Sequence, residues 1–150
     1  MFEEKSKRHL LVNLKEKKIE RFLTGGKTKL LRLAVCLDGV PHVSSVWYLW
    51  DGKYFWISTA EDRLKVRAAL KNPNVALIID TDVQPYEGVI VEGKASLTKA
   101  RLKAITYEIV KRYVPKSAVN EEFKELMRAP RILIRIKPEK VLDIMSYKEH

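Results

Sequence analysis

Apolar residues recur at helical spacing in three stretches of the chain, separated by shorter runs that are typical of strands. Residues 14–23 (LKEKKIERFL) form the first stretch, and the Gly25-Gly26 pair predicts the end of that helix. Residues 99–113 repeat apolar side chains every three or four positions, and a shorter helical pattern begins near Asn120. The sequence therefore predicts one helix near the start of the chain and two in its second half.

Two Asp-Gly steps, at residues 38–39 and 51–52, separate three apolar runs. An Asp-Gly step between apolar runs favours a hairpin, because glycine accepts a positive φ and aspartate tolerates one. We expect three strands in an antiparallel meander: TKLLRLAVCL, HVSSVWYLW and KYFWIS.

A short helix over residues 62–72 is predicted next. Thr59 with Asp62 three positions later fits an acidic variant of the capping box, and Asn72-Pro73 would end the helix. VALIID and GVIVEGKASL then follow as strands, the second interrupted by Gly93, which indicates a bulge. RILIRIKPEKVLDIM closes the pattern as one or two strands.

Six or seven short antiparallel strands with a few helices predict a mainly β fold with flanking helices, built as a small barrel. A length of 150 residues suits one domain, 1–150, with residues 1–24 as an N-terminal helical segment packed on it. Hydrophobic residues at 46% and charged residues at 32% exclude a disordered chain.

Targeting and metal signals are absent from the sequence. No apolar run approaches the roughly 20 residues of a membrane span, and the charged first residues lack a signal-peptide core. Cys36 is the only cysteine and the three histidines are scattered, so we expect neither disulfides nor a metal site. These features predict a cytoplasmic protein without a membrane partner.

The formal charge of +10 would ordinarily suggest nucleic acid as a partner. The charge is unevenly distributed, however: residues 1–32 carry a net +6, residues 33–93 a net −3 and residues 94–150 a net +7. The aromatic residues cluster in the acidic third, whereas a nucleic-acid reader interleaves its aromatics with its cations. We therefore expect no specific nucleic-acid binding.

Candidate chemistry is concentrated between residues 42 and 71. The strand from His42 to Trp50 is apolar on both faces, so a partner subunit, a planar ligand or both must cover the second face. The chain then turns at Ser58-Thr59 into a helix whose N-terminus and cations attract anions. Flavin mononucleotide (FMN) requires an aromatic surface that is shielded from water and, beside it, a turn that can bind phosphate.

The pattern DGVPHVSSVWYLWDG…FWIST…RLKVRAALKNPNVALIID…VEGKASL resembles the pyridoxamine-phosphate-oxidase-like family, the FMN-binding split barrels. The resemblance covers roughly residues 19 to 143. It implies a six-stranded antiparallel split β-barrel, a homodimer, and two flavin sites at the dimer interface.

Cofactor-binding residues follow from the same resemblance. The family's phosphate-binding threonine, at the end of the third strand, corresponds to Thr59, directly after Ser58, and its basic residue eight positions before the Asn-Pro proline corresponds to Lys65. The family's first basic position at this helix is Leu64 here, with Arg63 one residue earlier. Flavin-ring contacts would fall on the second strand, at Ser45, Val46 and Trp47.

Two departures concern the reaction. The family's signature arginine on the second strand is replaced by Val43-Ser44-Ser45, and the C-terminal Trp and Arg of true vitamin B6 oxidases have no match in VLDIMSYKEH. The resemblance therefore implies flavin binding rather than vitamin B6 oxidation.

The sequence predicts an FMN-dependent oxidoreductase that transfers two electrons to or from a small-molecule substrate. A flavin carries its own redox chemistry, and no acid–base dyad is visible, so no catalytic residue is assigned. Three alternatives remain: a reductase using the deazaflavin coenzyme on the same fold, a non-catalytic flavin or haem carrier, and a basic nucleic-acid-binding module. Thr59 as a helix cap, and Trp47 and Trp56 as dimer core, are the structural alternatives.

Overall fold

The computed structural model describes residues 13–14, 16–25 and 29–144 of the chain. Predictions that involve Lys15, Gly26 or the first twelve residues lie outside this part. The described residues form seven strands: β1 (Leu31–Leu37), β2 (Val40–Val46), β3 (Leu49–Trp50), β4 (Phe55–Ala60), β5 (Asn74–Asp80), β6 (Gly88–Thr98) and β7 (Arg131–Asp143). They also form four α-helices: α1 (Lys17–Thr24), α2 (Leu64–Lys71), α3 (Leu102–Tyr113) and α4 (Val119–Leu126).

All seven strands belong to one antiparallel sheet with the order β2-β1-β5-β6-β7-β4-β3. The two edge strands, β2 and β3, are joined by only two residues, Trp47 and Tyr48. Three Cα steps of about 3.8 Å cannot span more than about 11 Å, so the sheet curls until its edges approach each other. The fold is mainly β, a sheet curled into a split barrel with flanking helices, as predicted. The two-residue β3 accounts for the seventh strand.

The prediction of one strand from His42 to Trp50 is wrong. β2 ends at Val46, and the chain crosses the split of the barrel before pairing with β4 at the other edge. Tyr48 turns into the core, where it is 1% exposed, and its hydroxyl donates to the Leu23 carbonyl at 2.7 Å. The run is apolar because it passes through the interior, and this also breaks the predicted three-strand meander.

The two Asp-Gly steps form turns of different kinds. Asp38 and Gly39 have φ of 52° and 79° and make the two-residue hairpin that was predicted between β1 and β2. Asp51 instead organises a longer turn between β3 and β4. Its carboxylate accepts hydrogen bonds from the Lys53 and Tyr54 N–H groups at 2.8 and 2.7 Å, and from the Trp56 indole at 2.7 Å.

The predicted bulge at Gly93 is confirmed. The pairing of β6 with β7 shifts register between Glu92 and Gly93, and a Cβ at Gly93 would lie 2.3 Å from the Lys137 carbonyl oxygen. Only glycine allows this close approach of two strands. β7 runs unbroken through Pro138, so the last apolar run is one strand.

Helix α2 begins two residues later than predicted. Its N-cap is Arg63, without a side-chain capping bond, and Thr59 lies in β4 rather than at the cap. The capping box of Thr59 and Asp62 is therefore wrong, because the strand continues to Ala60 before the chain turns. The end of α2 at Asn72, and the helices α3 and α4, agree with the predictions.

Different helices pack on the two faces of the sheet. The inner face forms the main core with side chains of α1 and α2. α3 packs on the outer face of β4 and β7, where Trp56 and Leu133 meet Ile105 and Ile109. None of the four helices of the described residues covers the outer face of β2, β1 and β5, where Val43 is 72% exposed and Ala34 half-buried.

Candidate functional site

The end of β4 and the start of β7 form a polar cluster centred on Ser58. The Ser58 hydroxyl accepts hydrogen bonds from the Thr106 hydroxyl at 2.8 Å and from Arg131 Nε at 3.1 Å. A second guanidinium nitrogen of Arg131 donates to the Ser58 carbonyl at 2.9 Å. Arg131 is thereby fixed beside the residues that were predicted to bind phosphate.

Thr59 and Ser58 point in opposite directions, since successive side chains of a strand alternate between the two faces of the sheet. Thr59 is 6% exposed and shares the inner face with Phe55 and Ile57, whereas Ser58 lies on the outer face and bonds to α3. A single phosphate could therefore reach only one of the two hydroxyls. The two side chains therefore lie on opposite faces of the sheet, although the two residues are consecutive in β4.

Three cations are electrostatically linked around this strand end. Burial, and then the nearby charge of Arg63, lower the pKa of Lys65. The same two causes, in the same order, lower the pKa of Arg131. Within the described residues, no carboxylate forms an ion pair with Arg63, Lys65 or Arg131.

The acids of this turn are arranged so that they do not neutralise the cluster. Glu61 forms an ion pair with Lys99 rather than with one of the three cations. Asp62 is exposed, and its carbonyl oxygen, rather than its carboxylate, accepts a hydrogen bond from Arg67. The first turn of α2 carries no acidic residue. The cluster of Arg63, Lys65 and Arg131, which we call the cation cluster, therefore retains a positive potential suited to an anion.

The predicted ring-binding residues lie at the end of β2. Ser45 is exposed on the outer face and pairs with Arg32 of β1, while Val46 is half-buried against the core. The ring of Trp47 stacks on Tyr113 with centroids 4.9 Å apart and planes 4° from parallel. One face of the Trp47 indole is thus already covered from within the chain.

The two halves of the predicted site lie on different strands. One half lies at an edge of the sheet, where Ser45 and Val46 end β2 and Trp47 follows them. The cation cluster lies around the end of β4. Among the described residues, no hydrogen bond or ion pair connects the two groups. A ligand that used both would have to bridge the space between them.

Two residues of this region were missed by sequence reasoning. Arg131 is the first residue of a strand whose pattern indicates only burial, and its partner Ser58 is 73 positions away. Tyr113 reads as one more apolar position on the face of α3. Neither role leaves a local signal, because both depend on which elements the fold brings together.

Cavities of the described residues lie elsewhere. One of about 760 Å³ lies between the segment before α1, the turn after β3 and the second half of β7, with Trp50 and Pro138 in its wall. Another of about 520 Å³ lies beneath the loop from β5 to β6. None of the seven predicted site residues lines either cavity.

The described residues contain neither a membrane-spanning helix nor a metal-binding cluster. No helix among them is long and apolar enough to cross a membrane. No group of three or more His, Cys, Asp or Glu side chains in the same part of the chain could hold a metal ion.

Solved structures with the same fold include proteins of several kinds. A conserved hypothetical protein from Mycobacterium tuberculosis aligns with a TM-score of 0.72 and 22% identity, covering 93% of this chain and 91% of that one. HutZ, the haem storage protein from Vibrio cholerae, aligns at 0.69 and 18%, covering 85% and 94%. An F420 reductase aligns at 0.63 and 24%, covering 77% and 90%. At these identities the likeness establishes the fold alone.

Family membership comes from the sequence comparison. A search of the curated proteins found no significant match. The family model described as pyridoxamine 5'-phosphate oxidase matches residues 16–145, which is most of the chain. The chain therefore belongs to the pyridoxamine 5'-phosphate oxidase family.

Proposed function

We propose that this protein is a cytosolic FMN-dependent oxidoreductase, with the flavin bound at a homodimer interface and two electrons exchanged with a small-molecule substrate. The observation that carries the proposal is the cation cluster. Three cations surround one strand end, two of them have a lowered pKa, and no carboxylate of the described residues pairs with them. Such a cluster is stabilised when an anion binds.

The FMN phosphate fits this cluster by charge and by geometry. A phosphate carries up to two negative charges, and Lys65 at the second position of α2 can meet it where the helix dipole also favours an anion. Arg131 is already oriented by Ser58, so little side-chain freedom is lost on binding. We assign phosphate binding to Lys65, Arg63 and Arg131, with Thr59 and Ser58 shaping the strand end.

The dimer is proposed from the open outer face of the sheet. Val43 and Ser45 are exposed there, and Ala34, Ala76 and Ile78 beside them are half-buried apolar residues. An apolar sheet face of this kind is normally covered by another layer. A second copy of the chain would cover it and would bring a second wall to the open site.

A bound flavin supplies the two-electron chemistry, so this chain's own residues have other tasks. The cation cluster anchors the phosphate, and the end of β2 presents backbone groups and the Trp47 indole to the ring. The partner subunit would exclude water from the ring. No residue of the chain is assigned a proton-transfer step.

The deazaflavin coenzyme is a second candidate. An F420 reductase shares the fold, and the net charges of +6 and +7 in the two flanking segments would suit the long acidic tail of that coenzyme. The two cofactors differ in the tail rather than in the overall shape of the ring, so competition between them tests which one the site prefers.

The proposal is tested by what the purified protein binds. Its absorption spectrum, and its mass by light scattering at micromolar concentration, are measured before and after addition of FMN. We expect flavin bands in the protein fraction, about twice the chain mass of 17.4 kDa, and two FMN per dimer. A monomer that binds flavin would contradict the interface site. Binding of the deazaflavin coenzyme but not FMN would select the second candidate.

A further inference from the structure

Tyr113, the last residue of α3, joins three parts of the molecule at the split of the barrel. Its hydroxyl donates a hydrogen bond to the Lys29 carbonyl at 2.6 Å and accepts one from the Tyr48 backbone N–H at 3.2 Å. Its ring stacks on Trp47. One side chain therefore holds the residues before β1, the connection from β2 to β3, and the end of a helix.

The hydrogen bond to Tyr48 also fixes the orientation of Trp47. The Tyr48 N–H and the Trp47 carbonyl belong to the same peptide unit, and a peptide unit is planar. An acceptor that holds the N–H therefore determines where the Trp47 carbonyl points. Since the Trp47 ring lies flat on the Tyr113 ring, both the backbone and the side chain of Trp47 are positioned by one residue.

The surroundings of Tyr113 keep this arrangement rigid. The Arg112 guanidinium lies 4.6 Å from the centre of the Tyr48 ring and donates to the Leu23 carbonyl at 3.4 Å. The Tyr48 hydroxyl donates to the same carbonyl. Burial raises the pKa of Tyr113, against the opposing influence of the Tyr48 N–H and Arg112, so the phenol stays protonated and can donate.

We infer that Tyr113 is a positioning residue for the ring-binding segment: it holds the Trp47 carbonyl and indole in the orientation that meets the flavin ring. The inference rests on the proposed function. It predicts that Tyr113 affects recognition of the ring and not of the phosphate, because Tyr113 is bonded to the β2–β3 connection and not to the cation cluster. Because FMN and riboflavin share the ring, a substitution of Tyr113 should change the affinity for both by the same factor.

The test compares the variants Tyr113→Phe and Lys65→Met in titrations of the apo-protein with FMN and with riboflavin. Tyr113→Phe removes the hydroxyl and keeps the stacking ring. We expect it to weaken the binding of both flavins by about five- to tenfold and to leave the ratio of their dissociation constants unchanged. The visible absorption bands of the bound flavin should also shift. Lys65→Met should weaken the binding of FMN alone and so raise the FMN dissociation constant relative to that of riboflavin.

Tyr107→Phe is the matched control, because Tyr107 lies on the same helix and its hydroxyl bonds to the Asn120 side chain at 3.1 Å. It should leave flavin binding and spectrum unchanged. Trp47→Phe, which keeps a ring against Tyr113, serves as a second variant if Tyr113→Phe folds poorly, and it should also weaken both flavins equally. A wild-type protein that binds FMN, with a Tyr113→Phe variant of unchanged affinity and spectrum, would overturn the inference alone. A wild-type protein that binds neither flavin would overturn the proposed function itself.

Discussion

Two regions of the outer face of the sheet carry apolar side chains but differ in how far they are covered. On β4 and β7 the outer face is covered by α3, and Trp56 and Leu133 there are 7% and 0% exposed. On β2, β1 and β5 no described helix covers the outer face, and Val43 is 72% exposed. The covered region is therefore part of the folded core, whereas the open region is the surface on which we propose that a second copy of the chain packs.

The largest effect is expected on the covered face. Trp56→Ala should lower the free energy of unfolding by about 3–5 kcal/mol, because it empties the space between β4 and α3. It also removes the hydrogen bond from the indole to Asp51. Denaturant unfolding measures the loss, and Leu70→Ala, at a side chain 76% exposed, should change the same quantity by less than about 0.5 kcal/mol.

On the open face, a substitution should instead affect the association of two chains. Val43→Glu places a charge on the apolar surface that we assign to the dimer and should weaken association by roughly a hundredfold or more, since a buried unpaired charge costs several kcal/mol. Sedimentation of the variant at micromolar concentration should give the chain mass. Leu70→Glu adds the same charge to the exposed surface of α2 and should stay dimeric; a dimeric Val43→Glu protein would place the interface elsewhere.

The turn between β3 and β4 should make stability depend on acid. Although burial favours the neutral carboxyl of Asp51, hydrogen bonds from Trp56, Tyr54 and Lys53 outweigh it and lower the pKa of Asp51 from 3.8. The stabilisation is therefore present above pH about 4 and is lost as the pH falls through the folded-state pKa. Thermal midpoints at pH 5 and pH 3 should differ less for Asp51→Asn than for wild type, and Asp62→Asn, at an exposed side chain, should behave as wild type.

The smallest effect concerns the protein without cofactor. The pKa of Lys65 is lowered from 10.5 in the folded state, so the unfolded state binds more protons between the two pKa values and stability rises with pH across that window. Lys65→Met should remove this dependence. It should also raise the thermal midpoint of the cofactor-free protein slightly near neutral pH, as expected where a charge is retained for binding rather than for stability. Lys111→Met, at an exposed residue of α3, should do neither.

Much of the fold could be predicted because its signals are local. The Asp38-Gly39 hairpin, the Gly93 bulge and the amphipathic face of α3 each depend on a few neighbouring residues, and the structure confirms them. The break at Trp47-Tyr48 was missed because an apolar run looks the same whether it continues a strand or crosses the core. In the structure, Tyr48 bonds to Leu23 and Tyr113, which are distant from it in sequence.

The site was less predictable than the fold. The position of Lys65 and Arg63 beside the turn could be predicted because they are close to it in sequence, whereas Arg131 reaches Ser58 across 73 positions of sequence. Thr59 was predicted at a helix cap, and the strand carries it inward instead. Contacts between distant segments follow from sheet register, and register is not visible in a single sequence.

Binding of a flavin phosphate by the cation cluster can be measured in a paired titration of the apo-protein with FMN and riboflavin. For wild type we expect FMN to bind about 10- to 100-fold more tightly, since the phosphate adds charge-assisted hydrogen bonds. Lys65→Met should remove most of that preference, and Lys111→Met should leave it intact. Equal affinity of the wild-type protein for the two flavins, or an unchanged preference in Lys65→Met, would mean that the cation cluster does not bind the phosphate.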